Sequence, residues 1–446
     1  MTERRYLANR RLKSQKRCMC GTLLLIERGG SGVVSIGLRR PACVHSRVQR
    51  FSISLGALCL LRFLPASSTS AMIRSGKRFL LARLLLLGAV TATPTHAFAQ
   101  QRRPSMPPIR HVFVIVLENE GFDSTFNEHP RAPYFADTLR LAGAFLRQYH
   151  GIAHYSLGNY LAMIAGVPPT PKTQVDCPHF DDFVETGIAR DGQPIGDGCV
   201  YPAHVATIAN QLEGKRLTWG AFMEDMGKDP ARESETCGHP DVGTLDPTEI
   251  ATPTDQYATK HNPFVYFHAI IDSATCKQHV VPLTRLEDAL RSANNTPNYT
   301  FIVPNLCHDG HDRPCVNGEP GSLESADAFL QHWVPLIMNS PAFRADGLLI
   351  ITFDEALTLD SSACCMEPSG PNTTKPGVNG PGGGRIGAVL LSRFIKPGTI
   401  STVPYNHYSM LRSVEDVFGL AHLGYAGRAG LVSFGKDVFT AYRGAR

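Results

Sequence analysis

One segment constrains the fold more than any other: residues 111–117, HVFVIVL, a nearly unbroken run of β-branched and large apolar side chains. It has no polar face for an amphipathic helix or a half-exposed strand, and it is far too short to cross a membrane as a helix. It reads as a strand buried on both faces. Residues 300–303, 348–353 (LLIITF) and 386–391 (IGAVLL) read the same way. Between these runs, helical spacing appears at 157–165 (closed by Gly166), 283–291, 326–338 and 408–418. Doubly buried strands alternating with helices predict an α/β fold: a mostly parallel central sheet with helices on both faces, in a single domain. The Pro/Gly-rich stretch 368–384 reads as a long loop, and the chain shows no internal repeat.

Charge is distributed unevenly. The chain has 44 basic and 39 acidic residues, of which residues 1–99 hold 17 and two; residues 100–446 keep 27 and 37. The folded part is therefore acidic, which argues against a nucleic-acid partner, and an anionic substrate there needs local positive charge. Residues 72–99 (MIRSGKRFLLARLLLLGAVTATPTHAFA) carry a basic start, an apolar centre and a small-x-small end at Ala97-Phe98-Ala99. They predict a secretory signal peptide, with residues 1–71 an upstream extension, Met72 the true start, and residues 100–446 the catalytic domain of a secreted or periplasmic protein. Such a protein has no stable membrane insertion once the signal is cleaved. Eight of the 12 cysteines lie beyond residue 99, an even number compatible with disulfides. Cys177 with Cys199 and Cys307 with Cys315 are candidate local pairs, although spacing leaves the pairing open. A structural zinc site is disfavoured, since paired CxxC motifs are lacking. Trp219, Phe222, Tyr257, Phe264 and Tyr266 read as core more readily than as pocket lining.

In open parallel sheets, ligands bind beyond the carboxyl ends of the strands. The first run is followed by Glu118-Asn119, the second by Asn305-Leu306-Cys307-His308-Asp309-Gly310-His311-Asp312, and the third by Asp354-Glu355. The fourth leads through Tyr405-Asn406 to His407. Each group alone is compatible with a cap, a polar turn or a buried histidine. Four exits offering carboxylate, amide or imidazole form the pattern of a divalent-metal site. Ser156, placed just before a helix at its N-cap, is the candidate nucleophile. Neither a GxSxG elbow nor a P-loop is present.

The blocks LENEGFD, HYSLGNYLAMIAG, KHNPFVYF, VPNLCHDGHD, TFDEA, GGGRIGAVLLS and YNHYSMLRSVEDVFGL, in this order from about residue 110 to 425, resemble the bacterial phosphoesterase family. That family contains secreted acid phosphatases and phospholipases C of the phosphocholine type, within the alkaline-phosphatase-like superfamily. The resemblance implies that Glu118 and Asn119 form a first metal-binding and phosphate-contacting pair. By the same resemblance Asp309 and His311 are metal ligands, His308 and Asp312 are weaker candidates, Asp354 and Glu355 form a further set, and His407 is a late histidine ligand. Ser156 falls on the nucleophile of a block that usually reads Ser-x-Pro-Asn-Tyr, with Gly158 in place of the proline. Asn159 is implied as a phosphate-oxygen donor and His261 as a histidine near the phosphate. The sulfatase branch is disfavoured because its Cys/Ser-x-Pro-x-Arg signature is absent.

These residues predict hydrolysis of phosphate monoesters with one or two divalent ions and a phosphoserine intermediate. The substrate would be a small phosphate ester or a phospholipid head group. A phospholipase C-type diesterase is the alternative, and a non-catalytic secreted binding protein the reading from another class.

Overall fold

A computed structural model describes residues 106–442; the expected signal peptide and the segment before it lie outside them. The strongest sequence run forms the centre. Strand β1 (His111–Leu117) is buried throughout, as its lack of a polar face requires. The other strands of its sheet, in chain order, are β2 (Ala144–Leu146), β3 (Trp219–Met223), β4 (Val280–Pro282), β5 (Tyr299–Val303), β6 (Gly347–Phe353), β7 (Ala388–Leu391) and β8 (Thr399–Ser401). Their spatial order is β8-β2-β7-β6-β1-β5-β3-β4. Every neighbouring pair is parallel except those made by β7, which runs antiparallel to both β6 and β2.

Three helices bear on the site: α1 (Ser156–Ala165), α2 (Ser322–Asn339) and α3 (His407–Phe418). Register shows how the two faces are covered. Phe301 pairs with Val114 and packs against Tyr160 of α1 and against Phe264. Leu117 and Phe113 have the opposite parity, so they point to the other face. There Phe353, the partner of Leu117, meets Phe135, and Phe113 meets Phe343. This is the α/β architecture the sequence predicts, mostly parallel and covered on both sides.

Two details differ from expectation. The predicted helix over 283–291 is a 3₁₀ turn (Leu283–Arg285) followed by one short helix (Leu286–Leu290). The run at 386–391 is the antiparallel strand, so its exit lies at the end of the sheet opposite Glu118 and Asp354. The chain returns through β8 and a two-residue strand, Tyr405–Asn406, paired in parallel with Tyr149–His150, and only then reaches His407. Burial alone does not reveal strand direction, because a strand covered on both faces is apolar whichever way it runs.

The five aromatics read as core are buried, with Trp219 stacked on Phe264. Cys177–Cys199 and Cys307–Cys315 are disulfides, as are Cys237–Cys276 and the adjacent Cys364–Cys365.

Candidate active site

Three buried carboxylates converge where the sequence leaves the sheet. Glu118 continues the parity of Val114 and Val116, so it turns toward the face covered by α1. Asp354 follows the in-register partner of Leu117 and emerges beside it. Asp309 arrives from the turn after β5, where its carbonyl accepts the Glu118 backbone N–H at 2.8 Å. All three side chains are wholly buried.

Each carboxylate is anchored differently. Glu118 Oε2 accepts Ser156 Oγ–H at 2.7 Å and Asn119 Nδ2–H at 2.9 Å, while Oε1 accepts the Tyr160 hydroxyl at 2.5 Å. Asp354 Oδ1 accepts the Asn119 backbone N–H at 3.0 Å, which the left-handed turn at Asn119 (φ 54°) directs toward it. Asp309 Oδ1 accepts the His311 N–H at 2.9 Å. Asp354 Oδ2 and Asp309 Oδ2 are buried with no hydrogen-bond partner. Burial pushes all three acids up; neighbouring carboxylates add to the shift at Glu118 and Asp309, and Asp354 reaches about 7.

Buried carboxylate oxygens without a partner need a counter-charge, because buried polar atoms are normally paired and buried charges compensated. Lys260 is the one permanent cation among the described residues lining the adjacent cavity. It is already engaged, 3.5 Å from Asp176 and 4.0 Å from Glu249. Oxygen donors of this kind suit a hard divalent ion. Asp309 and Asp354 therefore offer two uncommitted oxygens suited to a metal.

Ser156 is the first helical residue of α1, one position inside the expected cap, which is Tyr155. The helix start is held by Asp176, whose Oδ1 accepts the Leu157 N–H at 3.0 Å, an acid where the helix dipole favours one. Gly158 fits a tight place: a Cβ there would meet the Ala153 and Pro169 side chains at 3.0 and 3.2 Å. The cavity beside Ser156 measures about 370 Å³ and is also lined by Asn119, His261, His311 and Glu355. A larger cleft of about 420 Å³ lies at Trp219 and Pro297, where β3 and β5 begin, at the other end of the sheet from the carboxylates.

His261 stacks on Tyr160 with ring centroids 5.4 Å apart, and its Nε2 lies 3.5 Å from Glu118 Oε1. Its Nδ1 is buried without a hydrogen-bond partner. Burial, with Lys260 and His311 nearby, pushes its pKa well down, so the ring is neutral.

The remaining predicted residues are placed unevenly. Glu355 faces His154, whose other nitrogen lies 3.1 Å from the Asp360 carbonyl. His407 sits behind Asp354, with Nε2 2.5 Å from its carbonyl oxygen and Nδ1 3.2 Å from the Tyr149 hydroxyl. Asn159 is fully buried and committed to backbone: Oδ1 accepts from Ile152 N and Ala153 N, and Nδ2 donates to the Ala153 and Tyr155 carbonyls. It shapes the turn before α1 and turns no donor toward the cavity. His308 points to Glu224 and Glu319, away from the carboxylate trio. Sequence reasoning missed Tyr160, Lys260, Asp176 and His154. Tyr160 was legible as the residue one helical turn after Ser156; Asp176 carried no pattern of its own.

The phosphoesterase family's sequence profile matches residues 134–421. The chain belongs to the phosphoesterase family. Its relatives include an acid phosphatase of Aspergillus fumigatus, 24% identical over 77% of this chain, and a phosphate-repressible acid phosphatase of Penicillium chrysogenum, 27% identical over 78%. The alignments span 66% and 71% of those two proteins. A phosphatidylinositol-3-phosphatase of Mycobacterium tuberculosis is 25% identical, over 78% of this chain and 89% of its own. Among solved structures, an alkaline phosphatase superfamily protein from Vibrio parahaemolyticus aligns at 13% identity over 71% of this chain and 69% of its own, with a TM-score of 0.40.

Proposed function

We propose that this chain is an exported, metal-dependent phosphomonoesterase that uses Ser156 as its nucleophile and passes through a phosphoserine. The observation that carries the proposal is the 2.7 Å bond from Ser156 Oγ to Glu118, beside the bare oxygens of Asp309 and Asp354. Membership of the phosphoesterase family and relatives named acid phosphatase support the ester class. Four disulfides suit an oxidising compartment.

Asp309 and Asp354, with Glu118 between them, would hold the metal; when bound, it supplies the positive charge that a phosphoryl group requires in an otherwise acidic cavity. Ser156 Oγ attacks phosphorus and its proton passes to Glu118 Oε2. The ester P–O bond breaks, and the departing alkoxide takes a proton from solvent. Water then attacks the phosphoserine and gives its proton to the free Nδ1 of the neutral His261 ring, which passes it on to solvent in the cavity, replacing the proton the alkoxide took. As phosphate leaves, Glu118 returns the proton to Ser156. Tyr160 keeps Glu118 in place through both steps. The start of α1 favours the anion at Ser156.

The test is hydrolysis of p-nitrophenyl phosphate by residues 100–446, beside the bis-ester, with and without chelator. Chelator-sensitive monoester turnover that falls at least about a thousandfold in Ser156→Ala supports the proposal. Turnover of the diester alone contradicts it and favours a phospholipase C-type enzyme.

A further inference from the structure

The cavity above Ser156 is larger than a phosphoryl group needs, and its walls differ. One wall is charged: Asp176, Lys260 and Glu249. The cavity also carries exposed apolar side chains: Tyr155, Val175 and Leu357 line it at 45%, 51% and 56% exposure. Leu359, in the turn closed by the Asp360 N–H to the Leu357 carbonyl, is almost fully exposed, and Val378 is exposed as well. Three large apolar side chains this exposed along one cavity, Tyr155, Val175 and Leu357, mark something that covers them.

The segments carrying them are fixed to one another. Gln174 Nε2 donates to the Lys375 and Pro376 carbonyls at 2.7 and 2.9 Å. Asn379 Nδ2 donates to the Thr358 carbonyl at 3.5 Å, and the His154 N–H to the Pro376 carbonyl at 3.2 Å. Three loops are thereby joined around the mouth by backbone and amide bonds rather than by packing of the exposed side chains. The rim is continuous with the cavity holding Ser156, so whatever enters that cavity passes along it.

From this we propose that Tyr155, Val175 and Leu357 form a specificity rim that binds the alcohol part of the substrate, selecting phosphate monoesters of apolar alcohols over those of sugars and other polar alcohols. The inference rests on the phosphomonoesterase reading and adds the leaving-group class to it. The alcohol leaves when the phosphoserine forms, so the rim acts on binding and on the first step, and inorganic phosphate does not touch it.

The test uses two homologous series on the metal-loaded protein. In the first, kcat/KM is measured for alkyl phosphates from ethyl to hexyl, whose leaving groups differ little in basicity. In the second, the affinity of the matching alkylphosphonates, which cannot be hydrolysed, is measured by calorimetry. Partial burial of each added methylene predicts about a twofold gain per carbon in both series. In the double variant Val175→Ser/Leu357→Ser both slopes fall toward zero. These positions are surface-exposed, so the variant keeps its fold. Turnover with a flat slope, or a slope unchanged in the double variant, overturns the rim and leaves the phosphatase reading standing. Phosphonates that bind more tightly with length while no phosphate ester is hydrolysed support the rim and overturn the phosphatase reading.

Discussion

Glu118 is the most heavily used side chain in the site. It accepts from Ser156, Asn119 and Tyr160, and it has no exposure to water that could substitute for a lost donor. Tyr160→Phe removes one donor and leaves a buried carboxylate oxygen under-satisfied, at a cost of about 1–3 kcal/mol. We expect a lower urea midpoint, together with a fall in kcat that exceeds any change in KM, because in the proposed mechanism Tyr160 holds the group that would accept the Ser156 proton. Both are measurable on the same variant. Glu118 itself was legible in the sequence because a carboxylate directly after a doubly buried strand has nowhere to go but the end of the sheet. The neutral state of His261 was not legible, because it follows from burial and from neighbours that only folding brings close. Asn159 shows the opposite error: an amide next to a nucleophile suggests a donor to substrate, yet the turn at 152–155 takes all of its bonds.

At the scale of elements, three strand ends bring Glu118, Asp309 and Asp354 together, and the cost of that meeting depends on pH. Each acid has a folded-state pKa raised above its unfolded value, by burial first, with neighbouring carboxylates adding to the shift at Glu118 and Asp309. The folded chain therefore binds more protons than the unfolded chain above about pH 4, and stability falls as pH rises through the folded values, about 7 for Asp354. For the chelated protein we predict a melting temperature that declines from pH 5 to pH 8. A divalent cation should restore more stability at pH 8 than at pH 5, since at low pH protons already neutralise the oxygens. A chelated protein whose melting temperature is flat or rising over this range would contradict the assignment. The strands and helices behind this geometry were largely readable, because unbroken apolar runs and helical spacing mark them. The short strands β2, β4 and β8 were not, since three residues hold too little pattern to register, nor was the five-residue β3, whose Trp219 and Phe222 were read only as core. The direction of β7 escaped for the reason its burial gives.

At the scale of the whole molecule, four disulfides among the described residues reinforce a body whose largest loops surround the site. Cys237–Cys276 closes 39 residues between β3 and β4, including Tyr257, Lys260 and His261. Chain-entropy arguments put the loss on replacing both cysteines by alanine at about 3–4 kcal/mol. We expect that loss in chemical denaturation, with a weaker effect from Cys307–Cys315, which spans eight residues. The charge balance of residues 100–446 belongs to this scale too: under the proposed function an acidic body would need positive charge to handle an anionic ester, and Asp309 and Asp354 would recruit it. The central claim is the covalent step at Ser156. The most direct measurement is an acid quench during turnover of a phosphate monoester, followed by mass spectrometry of the peptide containing Ser156. The account predicts a phosphate on Ser156 that appears before product accumulates and is absent in Ser156→Ala. Steady turnover with that peptide unmodified, and retained in Ser156→Ala, would contradict it.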